Sequence, residues 1–258
     1  GDWSSDVCSS DLEFTGKAST ALAFVSLAEN GERTFSFCRK PSADLLYAPE
    51  QIDPGWFSQA FALHFCSVSL VDSPMRYAHL AAITAAREAG AILSFDLNLR
   101  FPLWPNREQL RQTVWQFLPL THILKLSDEE LPFLTGTEDI EAALPALFTG
   151  DVQLVLYTCG SKGARAYTRT ASARARSPKV TAVDTTGAGD GFIGSFLWQL
   201  QRDGVITAEL PKLSRKRLTE YLAFSNRFCA ISVQHHGALD SYPTLAQMEQ
   251  PETDFPLP

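Results

Sequence analysis

Apolar and polar residues alternate on both sides of Glu29-Asn30-Gly31 in STALAFVSLAENGERTFSFCR (19–39). That pattern predicts a β-hairpin of edge strands closed by a glycine turn. Beyond it the period lengthens. MRYAHLAAITAAREAG has the spacing of a helix that buries one face and stops at a glycine, and AILSFD after it reads as a buried strand. The succession continues with a helix between Asn106 and Leu118, strand HILKL (122–126), a short helix from Ser127, another near 139–148, and strand VQLVLY (152–157). A polar hairpin in ARAYTRTASARARS (164–177) interrupts it, and helices follow after Gly187 and over 214–235. Strands alternating with helices predict a mostly parallel sheet covered on both faces. No repeat, low-complexity tract or linker divides the chain, so one main domain with a hairpin appendage is expected.

Bulk properties narrow the functional classes. A chain of 258 residues, 45% hydrophobic and 20% charged, can bury one large core. Its apolar runs, such as ILSF and LVLY, are strand-sized, so neither a membrane span nor a membrane partner is expected. A net charge of −7 leaves no electrostatic footprint for nucleic acid. Arg165, Arg169, Arg174 and Arg176 are accompanied by one aromatic, Tyr167, and read as a solvated face. Cys8, Cys38, Cys66, Cys159 and Cys229 lack C-x-x-C spacing, which points to buried free thiols in a reducing, cytoplasmic compartment. The five histidines form no ligand constellation, and His64 in LHFCS reads as a core or loop residue.

The opening GDWSSDVCSSDL has no basic start, apolar centre or cleavage site of a targeting signal. Residues 2–12 resemble instead the translation of a sequencing-library adapter, and residues 1–12 are expected to be non-native, with the natural start further upstream. Without Asp2, Asp6 and Asp11 the net charge is −4 rather than −7. Residues 13–250 are then the folded part and 251–258 a tail.

The candidate chemistry lies in TAVDTTGAGDGFIGSF (181–196). Phe192, Ile193, Phe196, Leu197 and Leu200 fall on one helical face, which puts Asp190 in the first turn of a helix that begins among glycines. Main-chain N–H groups of Gly187, Ala188 and Gly189 are unpaired by the helix there, and the helix dipole favours an anion beside them. The P-loop and dinucleotide templates both fail, since no Lys-Ser/Thr follows and Phe192 stands where the third glycine belongs. An anion hole beside a carboxylate suits phosphoryl transfer to a hydroxyl. A plain helix-capping acid is the other reading of Asp190.

DTTGAGDGF resembles the C-terminal signature of the ribokinase-like (PfkB) carbohydrate kinases. TCGSKG (158–163) is similar to that family's nucleotide loop, KLSDEE (125–130) to its K-x-N-x-x-E segment, and FSNRFCAISVQHHGALDSYP (224–243) to the stretch closing its adenine pocket. SFDLNLRFPLW (94–104) resembles the D-P-N-x-R…LW segment of the bacterial fructokinases within the family, with Leu97 in place of proline. The resemblance implies a three-layer α/β/α sandwich with a small β-hairpin lid at 19–39, lacking its N-terminal strands.

By the same resemblance Asp190 is the general base, and Gly187, Ala188 and Gly189 steady the transferring phosphoryl group. Lys125, Ser127, Thr158, Gly160, Gly163, Asn226 and Gly237 border ATP, while Asp96, Asn98, Arg100 and the lid residue Arg39 approach the sugar. Arg100 as a surface ion pair is a competing reading. Glu130 would hold Mg2+ through water, although with Ser127 it also forms an S-x-x-E capping box. Asp184, Thr186, Ser232, His235 and Ser241 fall where related kinases hold a monovalent cation such as K+, and Asp184 could equally form a turn with its own backbone. The expected activity is phosphorylation of a sugar by ATP, D-fructose first, with 2-keto-3-deoxygluconate kinase, aminoimidazole riboside kinase, a nucleotide-binding sensor and a catalytically idle fragment as alternatives. A homodimer through the lid is a further expectation.

Overall fold

The computed structural model describes residues 13–27, 33–39 and 42–250. β1 (Leu22–Leu27) and β2 (Arg33–Cys38) pair antiparallel, with Leu22 opposite Cys38 and Ala23 opposite Phe37. They form a two-stranded sheet of their own, not an edge of the central one. The turn expected at Glu29-Asn30-Gly31 lies outside the described residues, as do the adapter-like residues 1–12 and the tail 251–258.

The central sheet has six strands in chain order: β3 (Ala62–Cys66), β4 (Ile92–Asp96), β5 (Ile123–Ser127), β6 (Leu154–Thr158), β7 (Ala164–Tyr167) and β8 (Ser172–Ala175). The first four run parallel, and β7 and β8 add on antiparallel. The 164–177 hairpin thus extends the sheet rather than interrupting the fold. Ala164, Ala166 and Ala173 alternate inward while all four arginines are exposed, the period of a strand with one buried face. LHFCS is also a strand, β3, and the His64 ring is exposed on it with Nδ1 3.0 Å from Ser94 Oγ, neither in the core nor in a loop.

Two cores follow from the alternation along the strands. Leu93 and Phe95 of β4, Leu124 and Leu126 of β5 and Val155 and Tyr157 of β6 face α1 (Pro74–Glu88), α2 (Arg107–Phe117), α3 (Leu131–Thr135) and α4 (Ile140–Leu147). Ile92, Ile123, Leu154 and Leu156 face α5 (Ala188–Arg202) and α6 (Arg215–Ser232). Helices on both faces make the expected three-layer sandwich. Local signals set the helix ends: Asn106 accepts the Gln109 N–H at 2.9 Å to cap α2, and Gly90 at φ 81 follows α1. The helix expected from Ser127 begins at Leu131, because residues 128–130 form a turn closed by Ser127 and Glu130.

Candidate active site

The strand alternation that buries Ile92 and Ile123 against α5 also puts Asp96 and Lys125 on that face, at the C-terminal ends of β4 and β5. There Lys125 Nζ donates to Asp96 Oδ2 at 2.6 Å, with both side chains buried. Burial pushes the Asp96 carboxyl up, and the Lys125 ammonium beside it pulls the other way. Just past β4 the chain turns through Asn98, whose φ of 40 makes it the one non-glycine residue at positive φ among those described. Asparagine tolerates that conformation better than most residues, and such turns collect at functional sites.

Across from these strand ends, α5 opens at Gly187, whose φ of 75 suits glycine, and Asp190 lies in its first turn as expected. The carboxylate of Asp190 is exposed, and no hydrogen bond or ion pair holds it among the described residues. It does not cap the helix through a side-chain bond. The amides differ from expectation in one respect. Ala188 N–H donates to Thr185 O at 3.2 Å, which takes it out of the anion hole. Those of Gly187, Gly189 and Asp190 have no acceptor among the described residues and form the cup. Behind it, Tyr242 Oη donates to Gly187 O at 2.8 Å and Cys229 Sγ to Ala188 O at 3.1 Å. Because a peptide unit is planar, tying the Ala188 carbonyl aims the Gly189 N–H the opposite way. Burial pushes the Cys229 thiol up to about 12, so it stays a donor.

A cavity of about 880 Å³ joins the two halves. It is lined by Asp96, Asn98, Arg100, Lys125, Ser127, Glu130 and Thr158 from the strand ends and by Thr186, Gly187, Gly189 and Asp190 from the cup. Phe37, Leu99, Phe101 and Pro102 supply an apolar wall that the sequence reading missed. The alternation of β2 carried a signal for Phe37, since Phe37 and Ser36 must face opposite ways. The position, at the C-terminal edge of a parallel sheet, is where open α/β sheets bind ligands.

Several expected residues lie elsewhere. Arg39 does not reach the cavity: Nε donates to Asp44 Oδ2 at 2.9 Å, and the guanidinium also bonds Val68 O and Ser69 Oγ, which fastens the hairpin's end to the body. Gly160, Gly163, Asn226 and Gly237 are outside its lining as well. Asn226 Nδ2 donates to Ala175 O at 3.0 Å, so its amide pins the end of β8. At Gly163, with φ 95, a Cβ would come within 2.1 Å of Ala175 O, and a crossing of two main chains explains the glycine without a nucleotide.

Glu130 makes the reciprocal bonds of a capping box with Ser127, but they close the turn at 128–130 and do not cap the helix, which starts at Leu131. Its Oε2 accepts Ser127 N–H at 2.8 Å, Ser127 Oγ accepts Glu130 N–H at 3.2 Å, and Oε1 takes Leu99 N–H at 2.9 Å. Each carboxylate oxygen keeps a further lone pair, and the group faces the cavity, so contact with a hydrated Mg2+ is compatible with these bonds. The residues expected around a monovalent cation fall into two hydrogen-bonded groups. Asp184 Oδ1 accepts Thr186 N–H at 2.6 Å and Oδ2 accepts Gly237 N–H at 3.1 Å, while Ser232 Oγ and Ser241 Oγ lie 2.7 Å apart. The first of these bonds is the turn foreseen for Asp184. His235 is exposed, and its N–H donates to Ser232 O at 3.0 Å.

A three-layer α/β/α sandwich with an amide cup, an open carboxylate and a buried lysine around one cavity defines a small-molecule phosphotransferase. The match to known proteins agrees: residues 4–245 fit the model of the pfkB family carbohydrate kinases. The chain belongs to that family, and its activity is phosphoryl transfer to a sugar hydroxyl. It is 40% identical to probable fructokinase-4 of Arabidopsis thaliana over 245 residues, covering 94% of this chain and 73% of that one. The structure of an ATP-bound fructokinase from Xylella fastidiosa superposes with a TM-score of 0.84 at 37% identity, over 91% of this chain and 73% of the other. A fructokinase of Vibrio cholerae O395 with fructose, ADP and calcium gives 0.78 at 34% identity, over 91% and 74%.

Proposed function

We propose that the protein transfers the γ-phosphoryl group of ATP to the 6-hydroxyl of D-fructose. The observation that carries this reading is the open Asp190 carboxylate beside the unpaired amides of Gly189 and Asp190, facing one cavity with Lys125. Asp190 takes the proton of the hydroxyl as its oxygen bonds to the γ-phosphorus, and ADP leaves as the bridging P–O bond breaks. The cup accepts the charge that grows on the phosphoryl oxygens. Asn98 and Arg100 at the β4 end hold the sugar, and Phe37 and Phe101 cover its apolar face. Thr158 and Ser127 border the nucleotide phosphates, and Gly160, Gly163, Asn226 and Gly237 the route to the adenine.

Glu130 holds Mg2+ through water in this reading, and the metal when bound supplies neutralisation of the phosphate charge. The Asp184 cluster takes K+ and stiffens the helix mouth through Thr186. Leu22 and Phe24 share the outer face of the hairpin, 54% and 55% exposed, and a second copy of the chain covers them. The free cysteines accord with a cytoplasmic enzyme.

The test is a sugar panel with Asp190→Ala alongside the wild type. Turnover on fructose should exceed that on 2-keto-3-deoxygluconate and aminoimidazole riboside, and should vanish in Asp190→Ala with ATP affinity kept. Near-normal turnover in that variant removes Asp190 from the chemistry, and ATP binding without phosphorylation of any sugar makes the protein a sensor.

A further inference from the structure

The mouth of α5 carries glycine at 187, 189 and 191, so its backbone has little stiffness of its own. Larger residues have no room there. A Cβ on Gly189 would stand 3.2 Å from Lys125 Nζ, and one on Gly191 would stand 2.9 Å from Phe228 Cε1 and 3.1 Å from Tyr242 Cε1. The order of this turn therefore has to come from its neighbours.

The missing side chain at Gly191 lets α6 press close, and Cys229, next to Phe228 on α6, reaches across to donate from Sγ to Ala188 O at 3.1 Å. A carbonyl oxygen has two lone pairs, so the thiol takes one and leaves the other to the helix's own N–H. Adjacent peptide units are held differently. Between Gly187 and Ala188, Gly187 O accepts Gly191 N–H and Tyr242 Oη, both at 2.8 Å, and Ala188 N–H donates to Thr185 O at 3.2 Å. That unit is spent inside the protein at both ends. Between Ala188 and Gly189 the carbonyl is tied from behind by Cys229, and the N–H has no acceptor among the described residues. This second unit is the one free to act on an anion. The end of α6 also fixes the approach to it, since Val233 O accepts Val183 N–H at 2.7 Å and Asp184 N–H at 3.0 Å.

We infer that Cys229 is a positioning residue for phosphoryl transfer: by tying Ala188 O, its thiol holds the Gly189 N–H at the angle from which it meets the transferring group. The inference rests on the kinase reading above. Cys229 itself lies outside the cavity lining. In the transfer the sugar oxygen bonds to phosphorus, the hydroxyl proton goes to Asp190 and the bond to the ADP oxygen breaks, while the thiol keeps its proton. The Gly189 N–H counts most as charge grows on the phosphoryl oxygens, so a peptide plane free to tilt costs rate rather than binding.

Two substitutions separate the hydrogen bond from the space the sulfur fills. Cys229→Ala removes the donor, and its kcat on fructose should fall about two- to fivefold, the worth of one weak hydrogen bond, with the fructose KM and the Mg-ADP affinity within about 1.5-fold. Cys229→Ser keeps a donor on the same stem and should return kcat to within about 1.5-fold of the wild type. If alanine and serine fall together, packing and not donation is at work and the inference is overturned. A wild-type kcat in Cys229→Ala overturns it too. Should Cys229→Ala fail to fold, Cys229→Val fills the space without a donor and should show the same loss of rate. A wild type that binds Mg-ADP yet phosphorylates no sugar sinks the kinase reading instead. The tie is then read from nucleotide affinity: Mg-AMP-PNP weakened in Cys229→Ala with Mg-ADP unchanged keeps Cys229 linked to the cup, and equal effects on both remove it.

Discussion

Tyr242 Oη donates to the main-chain carbonyl of Gly187 at 2.8 Å, so a side chain 55 residues away holds the turn from which the anion cup opens. Gly187 O also accepts the Gly191 N–H at 2.8 Å, and the phenol adds a second donor that fixes the same peptide plane. Burial and the neighbouring Asp190 charge raise the phenol pKa, so it stays protonated across the working range. Tyr242→Phe removes that bond and leaves the ring in place against Phe228. A hydrogen bond worth about 1 kcal/mol, spent on aligning the cup, corresponds to a roughly fivefold lower kcat. Steady-state kinetics should show that loss with the melting temperature little changed, and an unaltered kcat would mean that the helix mouth holds itself.

Gly163 closes the segment between β6 and β7 where it passes the end of β8. Gly163→Ala would drive a Cβ to 2.1 Å from Ala175 O and 2.8 Å from Arg176 Cα, both main-chain atoms, at φ 95. Neither atom belongs to a side chain that could swing away. We expect a loss of about 3 kcal/mol or more in denaturant unfolding, in line with strain and overpacking together. Asn226→Ala, which frees the same strand end by removing the bond to Ala175 O, should cost about 1 to 2 kcal/mol. If Gly163→Ala unfolds like the wild type, the two chains do not cross as closely as described.

Those two residues mark where sequence reading reaches its limit. Resemblance links the glycines of TCGSKG and the helical asparagine to a nucleotide, whereas their contacts with Ala175 and Arg176 are set by the sheet order and leave no trace in local pattern. The helix mouth was legible because a period of 3.6 fixes the first turn from Phe192 onward, and Asp190 is found there. The ion pair of Asp96 with Lys125 was not, since it depends on which strand lies beside which and in what register. Arg39 shows the opposite failure. Its place at the end of the hairpin was correct, yet a nearby Asp44 and the carbonyl of Val68 satisfy it before any substrate could. Alternation within ARAYTRTASARA did carry the hairpin of β7 and β8 and its exposed arginines, but not the pairing of that hairpin with β6, which depends on the sheet order.

The structural tie made by Glu130 and the metal role proposed for it can be separated by a single substitution. Its oxygens accept the N–H groups of Leu99 and Ser127, tying the end of β4 to that of β5. Glu130→Gln keeps the shape but offers one acceptor and one NH2 group, so one of those N–H groups faces a donor. Unfolding in EDTA should cost about 1 to 3 kcal/mol more easily overcome stability, independent of any metal. If the carboxylate also holds hydrated Mg2+, the Mg2+ concentration for half-maximal turnover rises in the same variant. A stability loss with unchanged Mg2+ dependence would leave Glu130 as a structural tie alone.

His122, just before β5, is buried and accepts the Leu93 N–H on Nδ1 at 3.0 Å, which requires the neutral ring with its proton on Nε2. Burial lowers its pKa, Asp151 opposes that and Arg87 adds to it. The folded pKa therefore lies below that of the unfolded chain, and the unfolded state takes up the proton first as the pH falls. Stability from this group is whole above the unfolded value of about 6.5 and is lost as the pH falls toward the folded one. His79, also lowered by burial, adds a slope of the same sign, and Asp96, whose carboxyl is raised, adds one of the opposite sign. The difference between wild type and His122→Gln isolates the first contribution. Urea unfolding between pH 7 and pH 5 should show the wild type losing stability more steeply than the variant, and parallel curves would mean that the ring accepts a proton in the folded state without breaking its bond to Leu93.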